Sequence, residues 1–297
     1  MAFHFDFVRR WRVWFAFSGT LILVAVLALA IRGLHYGIDF TGGTQLDLRF
    51  AHATTSAPIR SVLNSQHLSG SSIVFVGQAH REVLITTPAI SEAERTRLLA
   101  VLRQRVGPFN AISTNRVSSV IGQETERTAL LAVLLATVGI ILYITLRFEW
   151  RFALSAIIAL VHDVVITVGL IALIHITLSQ YFVMAVLTIF GYSVNDTIII
   201  FDRIRENLRY QKRGEPLEDL VNRSLNQVLI RSINTSSTVL LALAAILVFG
   251  GASIKDFALT MLLGVFFGTY SSIFIASPIW LLWRKRQRVP APRQRLA

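Results

Sequence analysis

Hydrophobic and polar positions along the chain fall into two regimes. Six stretches, 13–31, 129–146, 152–174, 181–201, 233–249 and 257–283, are almost continuously apolar. Crossing about 30 Å of hydrocarbon takes roughly 20 such residues as a helix, so each is predicted to span a membrane. Between the first and second of them the pattern breaks into short alternating runs. Residues 43–50 alternate as a strand, 58–67 suit a short helix, and 73–77 with 82–86 read as two strands joined by a tight turn. Ser91 with Glu94 three residues on forms a capping box for a helix through Arg105, and 110–117 supplies a last strand. That βαββαβ order predicts a small ferredoxin-like α+β domain, helices on one face of an antiparallel sheet.

The expected fold is therefore an α-helical polytopic membrane protein with six transmembrane helices and one inserted α+β domain. Residues 1–31 form a cytoplasmic N-terminus and the first helix, and 32–127 the domain outside. Residues 128–283 hold helices two to six with a cytoplasmic loop near 203–231, and 284–297 a basic cytoplasmic tail. The first apolar run follows basic residues, as in a signal peptide. It is long, however, and no small-residue cleavage site precedes Arg32, so it is expected to remain as a membrane helix.

Composition supports the membrane class: 54% of residues are hydrophobic and 15% charged, with a mean hydropathy of +0.59. Cysteine is absent, which excludes disulfides and thiolate metal sites. The net charge of +12 would suit nucleic acid, but the positions of the charges argue otherwise. Eighteen basic residues lie before the first helix, in the loops after the second and fourth, and after the sixth, whereas the loops 175–180 and 250–256 contain only Lys255. By the positive-inside rule both termini are expected in the cytoplasm, with the basic residues against anionic lipid headgroups and no nucleic-acid partner. The outer domain mixes 10 basic with 7 acidic residues and offers no nucleophile, metal cluster or phosphate loop. Gly42 and Gly43 read as a turn or bulge pair, too short to cradle phosphate.

Polar residues inside the apolar helices are the candidate chemistry. Asp163 lies near the middle of the third helix and Asp196 in the cytoplasmic part of the fourth. A carboxylate there costs several kcal/mol unless paired or hydrated, and marks either an ion path or a hydrogen-bond anchor between helices. His162 points about 100° from Asp163, so the two are not automatically a dyad. Tyr192 and Ser193 share the face of Asp196, with Asn195 and Thr197 alongside. On the fifth helix Arg231, Asn234, Thr235 and Thr238 follow the i, i+3, i+4, i+7 spacing and form a second polar stripe. Arg231 can reach Asp196, or it can snorkel to the headgroups. Gly264, Gly268, Ser272 and Ala276 give the sixth helix a small face for close packing, with no chemistry implied. The segment 216–229 is expected to be a separate amphipathic helix at the membrane interface.

Several motifs together resemble the SecD–SecF family of bacterial protein-export membrane proteins, within the resistance-nodulation-division group of proton-driven transporters. They are Gly37-Ile-Asp-Phe-Thr-Gly-Gly-Thr44, Arg147-Phe-Glu-Trp-Arg-Phe152, His162-Asp-Val164 and Gly191-Tyr-Ser-Val-Asn-Asp-Thr197. Phe201-Asp-Arg-Ile-Arg-Glu-Asn207, Arg231-Ser-Ile-Asn-Thr-Ser236, and Gly250-Gly251 with Ser253-Ile-Lys-Asp-Phe257 complete the set. The family often has Val-Gly-Pro before the second helix, where this chain has Val117-Ser-Ser119. The resemblance implies a non-enzymatic accessory subunit of the inner-membrane Sec translocase. It would work with SecD beside the SecYEG channel, and with YajC, to assist export of unfolded preproteins. Protons would be its coupling ion, with no cofactor or metal. In the family the positions of Asp196 and Arg231 are linked to proton-driven movement; Asp163 and the two polar stripes are read from the residues themselves as polar support for that pair.

Two other readings compete with it. One is half of a proton-driven small-molecule or lipid exporter, since the motif around Asp196 occurs once and a single half implies a partner. The other is a scaffold whose buried polar groups only join helices.

Overall fold

The computed structural model describes residues 5–76 and 79–286. Gly77, assigned above to a strand end, and the tail residues Arg288, Arg293 and Arg295 lie outside the described residues, as do residues 1–4. The chain divides into two compact units, one of residues 1–35, 133–176 and 181–297, the other of 36–132 with 177–180.

In the second unit four strands, β1 (Gly43–Phe50), β2 (Ser72–Val76), β3 (Glu82–Thr87) and β4 (Phe109–Val117), form an antiparallel sheet in the order β2-β3-β1-β4. With the helices that follow β1 and β3, this is the ferredoxin-like arrangement expected from the strand order. The central strand β1 pairs Leu46 with Ile85 and Leu48 with Val83, and a bulge sits between Asp47 and Leu48 on its β4 side. Leu46, Leu48 and Phe50 point to one face, where Ile59, Val62 and Leu63, then Leu98 and Leu102, close the core. The first three belong to the helix Ser56–Ser65 and the last two to Glu92–Arg105. At the latter's start Glu94 N–H donates to Ser91 Oγ at 3.3 Å, and Ser91 N–H donates to Glu94 Oε2 at 2.7 Å, which holds the Glu94 carboxyl below its usual range. The edge strand β4 is exposed and polar beyond Phe109, a composition that discourages strand addition.

Gly42 and Gly43 are required by geometry. Gly42 has φ 73° and ends the one-turn helix Ile38–Thr41, and a Cβ on it would stand 2.8 Å from Ser119 Cα. Gly43 has φ 144°, and its Cβ would meet Thr87 O at 2.6 Å. Ser118, where a Gly-Pro was absent, accepts from Ile121 N–H at 3.3 Å and caps the following helix.

The first unit is helical. Among the described residues six helices are long and apolar enough to cross a membrane. In chain order they are α1 (Trp11–Arg32), α2 (Ser119–Arg147), α3 (Trp150–Leu173), α4 (Gln180–Arg209), α5 (Leu217–Phe249) and a sixth in three parts. Those parts are α6 (Ala252–Ser271), a π-helical turn Ser272–Ala276, and α7 (Ser277–Arg286). α3 is the hub: a Cβ on Gly169 would collide with the Ala25 backbone of α1, so no side chain fits between these helices. A Cβ on Gly264 of α6 would collide with the Ile189 side chain of α4.

Two boundaries differ from expectation. α2 begins ten residues before the apolar stretch, because hydropathy marks where a helix enters lipid and not where its hydrogen bonding starts. The expected interfacial helix and the loop to residue 231 are instead the first half of one continuous α5, and only 210–216 connects it to α4. No glycine or proline interrupts 217–249, so nothing stops the helix once Pro216 has started it. The apolar face of this half, Leu217, Leu220, Val221 and Leu225, packs with Ile200, Phe201 and Ile204 of α4. Its polar side receives the N-terminal segment: Phe7 N–H and Val8 N–H both donate to Asn222 Oδ1, and Arg9 pairs with Asp219 at 2.8 Å.

Candidate functional site

Asp163 is fully buried at the crossing of α3, α4 and α6. Its Oδ2 accepts from Ser193 Oγ of α4 at 2.6 Å and from Ser271 Oγ of α6 at 2.8 Å, and its Oδ1 lies 2.9 Å from His162 Nδ1. The histidine that helical geometry left undecided is thus brought onto its neighbour. A Cβ on Gly268 would sit 3.1 Å from Ser193 Cβ and 3.6 Å from Asp163 Oδ2, so the glycine lets α6 approach closely enough for Ser271 to bond. One turn along, Thr197 Oγ1 and Ser272 Oγ are 2.8 Å apart, joining α4 to the π turn.

Asp196 follows Ser193 by three residues and is nearly buried, but its surroundings differ. Its Oδ2 has no hydrogen-bond partner. Ser232 Oγ of α5 stands beside the carboxyl without closing a bond of normal length. A cavity of about 20 Å³ adjoins it, lined by Tyr192, Ser193, Asn195 and Asp196 from α4, Thr235 and Ser236 from α5, and Val265 and Thr269 from α6. That volume admits one water molecule.

The stripe on α5 does not close onto Asp196. Arg231, Asn234, Thr235 and Thr238 are all exposed, and Arg231 makes no ion pair among the described residues. Thr235 and Thr238 satisfy their hydroxyls on backbone oxygens of their own helix. Tyr192 and Asn195 are exposed as well. The structure therefore unites Asp163, Ser193 and His162 tightly, places Thr197 one turn away, and leaves Asp196 and Arg231 on adjoining faces without contact.

Sequence reasoning missed the contribution of α6. Ser272 was read only as part of a packing face, and Thr269, Tyr270 and Ser271 were not singled out, yet Ser271 holds Asp163 and Thr269 Oγ1 is 2.6 Å from Ser236 Oγ of α5. Four consecutive hydroxyl-bearing residues inside an apolar helix were the available signal. Among the described residues no group of three or more His, Asp or Glu could hold a metal ion. At the other motifs, Phe148, Phe152 and Phe201 cluster with Trp280, whose ring stacks on Phe152 at 4.6 Å, and Arg147 reaches Asp202 at 3.5 Å.

These features have counterparts in known proteins. Residues 98–286 match the family model "Protein export membrane protein SecD/SecF, C-terminal", and residues 27–54 match "SecD/SecF GG Motif", which contains Gly42 and Gly43. Protein translocase subunit SecF of Sebaldella termitidis is 40% identical over 281 residues, covering 94% of this chain and 91% of that protein. SecF of Pseudomonas aeruginosa is 39% identical over 274 residues, covering 90% and 88%. The crystal structure of SecDF from Thermus thermophilus, described as a translocon-associated membrane protein, superposes with a TM-score of 0.87 at 37% identity over 95% of this chain. SecDF in its super-membrane-facing form gives 0.71 at 36% identity over 96%. The chain spans 39% of the length of each of these two structures. By sequence, by the glycine pair at its first turn and by the fold of both units, this chain is a multi-pass membrane protein that belongs to the SecD/SecF family of protein-export membrane proteins.

Proposed function

We propose that the chain is the SecF-type half of a proton-driven protein-export machine in the cytoplasmic membrane, with both termini in the cytoplasm. Its partners are SecD, which supplies the other membrane half, the SecYEG channel, YajC, and the unfolded preprotein leaving the channel. The relatives' names support SecD as a partner, and the resemblance in the motifs implies the channel, YajC and the preprotein. The coupling rests on one observation, the buried Asp196 Oδ2 that has no hydrogen-bond partner inside a membrane helix.

A carboxyl so placed is tolerated neutral and is costly when charged. The exposed Arg231 on the neighbouring face of α5 is a cation that can approach when the helices shift. Its approach favours loss of the proton from Asp196, and its withdrawal favours uptake. Carrying one charge through the full potential releases about 2.3 kcal/mol per 100 mV, enough to bias two conformations of the outer domain. Exposed Asn195, Asn234 and Thr235 would be poorly matched to lipid and are better covered by a second membrane subunit.

Asp196→Asn, measured with SecD in proteoliposomes or inverted vesicles, is expected to abolish stimulation of export by the proton gradient while the protein still inserts. Full stimulation in that variant would refute the coupling role.

A further inference from the structure

Asp163 is the most deeply buried carboxyl in the helical unit, and the proposed coupling through Asp196 does not use it. Every polar group bearing on it is known. His162 comes from its own helix, Ser193 from α4 and Ser271 from α6, and no arginine or lysine is among them. Tyr270 of α6 stacks on the His162 ring at 6.2 Å, and its hydroxyl lies 3.1 Å from both Ser18 Oγ and Trp14 O of α1. His162 is 5% exposed, and its Nε2 is buried with no partner.

With neutral His162 and ionised Asp163 the pair carries a net negative charge in a fully enclosed site. One added proton makes it neutral, either as carboxylic acid with imidazole or as carboxylate with imidazolium. The surrounding hydroxyls accommodate both states. Ser271 Oγ has a second acceptor, Gly268 O at 3.1 Å, so it can turn away and receive a hydrogen bond from a protonated Asp163.

Ser193 links this pair to Asp196. Its hydroxyl donates to Asp163 Oδ2, and the same residue lines the cavity against Asp196. We infer that His162 and Asp163 form a second proton-binding site, exchanging with Asp196 through Ser193 and a water in the cavity between them. Protonated Asp196 gives its proton to the water, and the water gives one to Ser193 Oγ. Ser193 passes its own proton to Asp163 Oδ2. Asp196 ends ionised, Asp163 ends neutral, and the water and serine are unchanged: three O–H bonds have broken and three have formed, one proton has moved in net, and no bond between heavy atoms has broken. The exchange rests on the reading that Asp196 carries protons; the binding site at Asp163 does not.

The test is infrared difference spectroscopy of the full chain with SecD in lipid, following carboxylic-acid C=O bands through a pH titration. Asp196→Asn should remove one band and Asp163→Asn a second. Absence of the first alone would refute the coupling role of Asp196. Absence of the second, with Asp163 ionised throughout, would overturn the site inferred here. If Asp163→Asn does not fold, His162→Gln serves, and should move the midpoint of the Asp163 band by about one pH unit or more, since a hydrogen-bonded charge partner is removed. An unmoved midpoint overturns the shared site. Ser193→Ala should keep both bands but slow the Asp163 response after a pH jump by about tenfold or more, the effect of raising a transfer barrier by ~1.4 kcal/mol. An unchanged rate overturns the path.

Discussion

Asp196 of α4 has Ser232 of α5 beside it, and Arg231, one residue back on the same helix, stands about 100° away around the helix axis. The cation is exposed and the carboxyl is nearly buried, and the two form no ion pair among the described residues. Arg231→Ala should therefore leave thermal stability within about 0.5 kcal/mol of the parent, as for other exposed unpaired side chains, while removing the response of export to the proton gradient. Ser232→Ala should keep that response, because a hydroxyl without a hydrogen bond is lost at little expense. Melting curves and transport assays on the two variants decide it, and a large destabilisation by Arg231→Ala would count against the exposed placement.

Helix contact depends on missing side chains at specific glycines. Gly264→Ala should destabilise the bundle by about 1–3 kcal/mol, because its Cβ would fall on Ile189. Gly191→Ala meets nothing within 4 Å and should be neutral or slightly stabilising. Thermal unfolding in detergent compares them, and equal melting temperatures would contradict the close approach of α4 and α6.

Asp47, in the middle of β1, is buried with Oδ1 unpartnered. Desolvation first, and the Glu82 charge second, push its carboxyl above the usual range, with Arg49 opposing. Because the folded value exceeds the unfolded one, Asp47 makes no difference when both states are protonated and destabilises the domain as pH rises through the folded value. Asp47→Asn should thus raise stability at neutral pH, with the gain fading in acid. Proteolysis of the α+β domain at several pH values measures this, and a gain confined to acid would reverse the sign.

The core of the α+β domain should respond as any small packed core does. Leu48→Ala, at 0% exposure, is expected to cost about 2–5 kcal/mol, whereas Ile112→Ala on the exposed edge strand should stay within about 0.5 kcal/mol. Urea-dependent protease sensitivity of the full chain separates the two.

The elements were largely legible because each rests on a local pattern. Apolar length gave the six spans, and alternation with the Ser91 and Glu94 cap gave the βαββαβ order. What escaped depended on contacts distant in sequence. The unbroken run of 217–249 without glycine or proline was there to be read, but not what covers the first half of α5, since a stripe of apolar residues looks the same against α4 as against lipid. The pairing of His162 with Asp163 needed side-chain rotamers that no spacing fixes. Ser272 was read as a small packing residue and Ser271 was not singled out, because their partners lie 75 and 108 positions away, on α4 and α3.

The π turn at Ser272–Ala276 holds one residue more than an α-helix would place there, with Ser277 Oγ donating back to Ser272 O at 3.1 Å. A wider turn shifts the angular phase of everything after it. Trp280 meets Phe152 only in the shifted phase, whereas Gly264 and Gly268 meet α4 in the unshifted one. The sixth helix thus engages its neighbours in two registers, one on either side of the bulge. Removing a single residue from the turn would restore a regular helix and swing the tryptophan roughly a quarter-turn out of its stack.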